Sequence, residues 1–209
     1  RRKWILMRYI RMRILFCEET KTMENKKKSN LRALCECALL VAVGFLLSFI
    51  KIWKMPLGGA VTAASMAPIL LAGYRHGPKF GFLTSFVYAV LQILQDIGEI
   101  AGWGLTPAIF VGTLLLDYLL AYGILGLSGV FWKKKYAVLW GTPICLFGRF
   151  LMHFLSGVIL FAETGQPGFT PLTWSLAYNG TYMLPELVIT TVVLFALSKI
   201  PKLLPQQEG

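Results

Sequence analysis

Six apolar stretches, over residues 33–50, 55–74, 80–95, 108–132, 136–162 and 172–198, dominate this 209-residue sequence and leave it few ways to fold. Crossing the hydrocarbon core of a bilayer takes about 20 mostly apolar residues in a helix. Inside that core, backbone amides are satisfied only within helices or closed barrels. The expected fold is therefore all-α: a polytopic membrane protein with a compact bundle of six transmembrane helices. The second and third stretches are short and are separated by "RHGPK", a helix-breaking Gly-Pro turn that also carries positive charge. Composition agrees, since 56% of residues are hydrophobic and 15% charged, against about 45–50% and about 25% for soluble domains. No tandem repeat or long linker divides the chain. The expected organisation is a basic tail over 1–30, a membrane domain over 31–204 and a short tail over 205–209.

The net charge of +11 is uneven. Residues 1–30 hold ten Lys/Arg against three Glu, hence +7, and the rest hold eleven against seven, hence +4. A basic arm beside membrane spans meets anionic lipid head groups more readily than nucleic acid. The opening "RRKWILMRYIRMRILF" has the makings of a basic amphipathic helix on a membrane surface. Alternatively Met23, opening "MENKKKSNLRALCECALL", reads as a natural start, which makes residues 1–22 flanking sequence. Basic residues also orient the spans. With both termini cytoplasmic, the inner segments hold eleven Lys/Arg, whereas the outer loops hold only Lys51 and Lys54, beside Asp96, Glu99 and Glu163. The positive-inside rule favours that topology and a multi-pass protein of the cell membrane.

Given this orientation, three costly polar side chains fall at one depth. Asp117 stands nine residues in from the outer end of its span, about 13 Å at 1.5 Å per residue. His153 is nine residues from the outer end of the fifth span, and Asn179 seven from that of the sixth. A carboxylate at mid-bilayer costs roughly 2.5–3.5 kcal/mol on insertion scales, so Asp117 is expected to face a shared, outward-opening cavity. Tyr118, Tyr122, Phe161, Trp174 and Tyr178 gather at this level or above it, with Trp103 in the loop overhead and Tyr88 as a further aromatic candidate in the third span. Aromatic faces around a carboxylate suit a flat cationic ligand, cation–π contact giving about 2 kcal/mol when desolvated. Arg149, one turn deeper than His153 on the same helix face, is expected to hold Asp117 or Glu186.

The stretches "MPLGGAVTAASMAPILLAGYRHGPKFGFLTSFVYAVLQIL", "LLDYLLAYGILGLSGVF", "RFLMHFLSGVILF" and "WSLAYNG" occur in order between about residues 31 and 203. Together they resemble the thiamine-specific substrate-binding subunit of energy-coupling factor transporters. The resemblance implies capture of thiamine from outside, with delivery through a transmembrane coupling subunit and two ATPase subunits that use ATP. No cofactor is expected in this chain itself. Residue by residue, it implies ligand contacts from the Asp117–Tyr118 pair, His153 and Asn179, with Trp174 where a Tyr is frequent and Phe161 where a Trp can stand. It also implies that Ala38 and Ala42, small residues four apart, dock the coupling subunit. The loop "KIWKMPLGG", with Lys51, Trp53, Pro56, Gly58 and Gly59, is implied to be a gate.

Other classes remain at this point. A thiamine precursor or another vitamin fits the same scaffold, and a membrane-embedded enzyme would use Asp117, His153 and Glu186. No H-E-x-x-H or Walker pattern is present, and the four Cys lack metal-ligand spacing, so neither a metal site nor an ATPase site is expected.

Overall fold

The computed structural model describes residues 28–56, 58–201 and 203–205. Most of the basic tail, with the amphipathic helix and the alternative start at Met23 expected there, lies outside the described residues. So do Lys202 and residues 206–209. The chain groups into two units, Arg1–Glu36 and Cys37–Gly209. In the first, the described residues are helical. The second holds the architecture that follows.

Helix α1 runs Lys28–Ser48, and its residues from Cys37 on belong to this second unit. A small antiparallel hairpin follows, β1 Lys51–Lys54 against β2 Ala60–Thr62, in the register Trp53↔Val61 and Lys54↔Ala60. Its turn places Gly58 and Gly59 at φ +83° and +79°, a left-handed conformation that glycine adopts without penalty. Then come α2 Ala67–His76, α3 Pro78–Gly102, α4 Pro107–Phe131, α5 Ala137–Ile159 and α6 Pro171–Ser198. Pro78, Pro107 and Pro171 each open their helix, where the missing amide hydrogen costs nothing. Thr106 caps α4, and Thr170 with Thr173 forms a capping box on α6.

Five of these helices, all but α2, are long and apolar enough to cross a membrane. The expected second span over 55–74 is present as the second of the six helices, but with a later start. In its first half Gly58 and Gly59 belong to the hairpin turn, Ala60–Thr62 form β2 and residues 63–66 a loop, and only Ala67–His76 is helical. Ten residues make about 15 Å of helix, half a hydrocarbon core. Helix α2 is buried from Ala67 to Tyr74. A stretch rich in Gly and β-branched residues is as apolar as a helix but lacks helical propensity. The third span extends further than expected, to Gly102, carrying Asp96 and Glu99 on helical backbone.

Helix α4 is not uniform. It is α-helical over Pro107–Thr113, π-helical over Leu114–Leu120, α-helical again over Ala121–Gly123 and 3₁₀ over Ile124–Phe131. The 3₁₀ end packs on α2 and α3 through glycines. A Cβ on Gly73 would lie 2.7 Å from the Gly129 amide nitrogen, and one on Gly129 would lie 2.5 Å from the Pro78 Cα. Small residues allow this close approach where lipid supplies no hydrophobic drive.

Candidate functional site

One cavity of about 130 Å³ opens among the hairpin, α3, α4, α5 and α6, on the order of ten times the 10–15 Å³ that one water requires. Asp117 and Tyr118 reach it from the π-helical segment of α4. An extra residue in a helical turn re-aims side chains, and such segments occur frequently at functional sites.

Asp117 is the centre of a polar chain. Its Oδ1 accepts from His153 Nδ1 at 2.8 Å and its Oδ2 accepts from the Ser156 hydroxyl. His153 Nε2 in turn accepts from Arg149 Nε at 3.2 Å, so the hydrogen-bond pattern assigns the ring proton to Nδ1 and leaves the imidazole neutral. Arg149 lies 4.2 Å over the Tyr122 ring and donates to the Met66 sulfur. The expected direct pairing of Arg149 with Asp117 or Glu186 is thus replaced by a path through His153. Glu186 has a different task. Its carboxylate accepts from the Thr62 amide and hydroxyl, both at 2.6 Å, fastening the end of β2 to α6.

Asn179 also lines the cavity, but its amide is committed within the protein. Nδ2 donates to the Ser175 carbonyl at 2.9 Å and Oδ1 accepts from the Tyr182 hydroxyl at 2.7 Å. The aromatic wall is built from pairs: Trp103 meets Phe161 edge-on at 6.3 Å, and Trp174 tilts against Tyr178 at 5.8 Å. Tyr88 does not belong to it. Fully buried in α3, it packs edge-on behind Tyr122 at 5.2 Å and stays outside the lining. Sequence depth alone does not separate a residue facing the cavity from one a layer behind.

The hairpin covers one side of the cavity through Lys51, Gly58 and Gly59. Trp53 and Pro56 do not line it, and Trp53 is 62% exposed. The Gly58 carbonyl accepts from the Tyr178 hydroxyl at 2.9 Å. A Cβ on Gly59 would stand 2.8 Å from the Tyr182 ring. Lys51 lies 3.7 Å from Asp96, and Lys54 lies 2.8 Å from Glu99. Hydrogen bonding to Glu99 raises the Lys54 ammonium above its ordinary pKa. Asp96 also accepts from the Tyr118 hydroxyl at 3.1 Å.

Charge around the cavity is nearly balanced, with a residue of one sign. Asp96, Glu99, Asp117 and Glu186 stand against Lys51, Lys54 and Arg149, so with His153 neutral the lining has one formal negative charge in excess. Sequence reasoning missed Asp96, Glu99 and Gln92 as lining residues, together with Ser156 and Tyr182. A signal was present: Gln92, Asp96 and Glu99 are spaced four and three apart, one face of α3. Ala38 and Ala42 lie on the exposed side of α1, beside Leu39, Val43 and Leu46.

These features define a multi-pass membrane protein of the solute-binding kind, with a polar, aromatic-walled cavity set among apolar helices. Residues 34–204 match the family described as thiamine transporter protein, and the chain belongs to that family. It is thus a transport protein of the cell membrane rather than an enzyme. It is 31% identical to the thiamine transporter ThiT of Bacillus subtilis over 201 residues, covering 88% of this chain and all of that one. Its identity to the thiamine transporter ThiT of Lacticaseibacillus paracasei is 25%, over 88% of this chain and 96% of the relative. A solved structure of ThiT from Listeria monocytogenes superposes with a TM-score of 0.67 at 24% identity, over 84% of this chain and 98% of that one. This last likeness establishes the fold.

Proposed function

We propose that this chain captures thiamine in the described cavity and passes it to an energy-coupling factor module made of a transmembrane coupling subunit and two ATPase subunits. The observation that carries the reading is Asp117, a carboxylate oriented by His153 and Ser156 in a lining with one formal negative charge in excess. Thiamine is a flat monocation, so its thiazolium charge complements that lining. Coulomb attraction is larger there than in water because the local dielectric is lower. The second acceptor site on each Asp117 oxygen is suited to the exocyclic amine of the aminopyrimidine. Tyr118, Phe161, Trp174 and Trp103 supply the ring faces, and His153 and Asn179 complete the wall.

On this reading the hairpin turn acts as the gate, and the exposed small residues Ala38 and Ala42 receive the coupling subunit. The test is a calorimetric titration of the purified protein with thiamine, alongside Trp fluorescence. One molecule should bind per chain and quench emission, because Trp103 and Trp174 both line the cavity. Tight binding of riboflavin or an isolated pyrimidine precursor, with thiamine ignored, would transfer the assignment to another vitamin. Copurification with a coupling subunit, lost when Ala38 and Ala42 are both changed to Leu, tests the partner.

A further inference from the structure

Gln92 lies on α3 one turn from Asp96, 3% exposed, and lines the cavity. Its Oε1 accepts from the Tyr122 hydroxyl at 3.4 Å. Its Nε2 has no hydrogen-bond partner in the protein. Among the described residues with such a buried polar atom, Gln92 alone lines the cavity. Ser85, Ser128 and Thr190, away from the lining, carry hydroxyls that can turn toward a carbonyl of their own helix. A primary amide has no such recourse, and leaving its buried donor unpaired is destabilising.

We infer that Gln92 is a further ligand-contacting residue, whose Nε2 donates to an uncharged acceptor of the bound molecule, of the heteroaromatic ring-nitrogen class. The assignment rests on the thiamine reading above. An aminopyrimidine edge sets a donor amine beside an acceptor nitrogen, and the cavity answers with an acceptor, Asp117, and a donor, Gln92. Tyr118 and Tyr122, their rings 6.2 Å apart, line the same cavity. Gln92 thereby selects for ring nitrogen over carbon, a distinction that neither charge nor stacking makes.

The experiment is a titration of the unaltered chain and of Gln92→Leu with thiamine, and with two analogues in which one or the other pyrimidine ring nitrogen is replaced by CH. Gln92→Leu should bind thiamine roughly 3- to 10-fold more weakly. One analogue should lose a similar factor on the unaltered chain and nothing further on Gln92→Leu. Unchanged thiamine affinity in Gln92→Leu, or equal analogue losses in both proteins, overturns the assignment alone. Failure of the unaltered chain to bind thiamine removes the transport reading and this assignment with it. Should Gln92→Leu not fold, the analogue series on the unaltered chain decides: a loss with one analogue supports the hydrogen bond, and no loss with either refutes it.

Discussion

The two ends of α4 solve opposite problems. Toward its start, the π-helical turn carries Asp117 and Tyr118 into a cavity where carboxylates, an imidazole and aromatic rings are tied together by specific hydrogen bonds. Toward its end, the 3₁₀ turns close on α2 and α3 through Gly73, Gly81, Gly126 and Gly129, with no room for a methyl group. One helix departs from α-geometry twice, opening space in one place and removing it in the other. The comparison teaches that recognition and packing are separable here: polar substitutions at the first end should alter binding, and small-to-large substitutions at the second should alter folding.

Asp117→Asn should have the largest effect on binding. It removes the counter-charge yet keeps the side-chain shape, and losing one partner of a desolvated charge pair costs about 2–5 kcal/mol. Thiamine affinity should fall at least ~30-fold while thermal stability in detergent changes little. Gly129→Ala should do the reverse. Its added methyl meets the backbone of Gly77 and Pro78, and overpacking of this kind costs about 1–3 kcal/mol. Melting should drop while the folded fraction binds normally; a matched loss of affinity would break the separation.

Smaller effects sharpen the contrast. Trp174→Leu should weaken thiamine a few-fold, as loss of one cation–π face costs about 0.5–2 kcal/mol. Its affinity for an uncharged isostere should hardly move. Glu99→Gln should have the least effect. It dissolves the Lys54 pair at the half-exposed hairpin edge, and such pairs contribute about 0–1 kcal/mol. A modest rise in the thiamine dissociation rate is expected, and that rise should shrink with added salt as the intact pair is screened.

The membrane class and most helices were legible in the sequence because each long apolar stretch meets the length requirement by itself. The level at which Asp117, His153 and Asn179 meet followed from counting residues along those stretches. What hydropathy does not encode is backbone choice, so the hairpin hid inside an apolar run whose Gly58 and Gly59 were the available clue. Nor does it encode rotation about a helix axis. That is why Tyr88 was expected at the cavity and proves to be a layer behind it, while Gln92 on the same helix went unnoticed. Glu186 shows a third limit: its partner Thr62 is 124 residues away in sequence, and nothing local announces the pair.

The central claim is that a single oriented carboxylate selects a cation. It is tested most directly by titrating the unaltered protein and Asp117→Asn with thiamine and with an isostere carrying carbon in place of the quaternary nitrogen. The account predicts that the unaltered protein favours thiamine at least ~10-fold over the uncharged isostere, and that Asp117→Asn binds the two about equally. Equal binding by the unaltered protein, or a preference that survives Asp117→Asn intact, would contradict it.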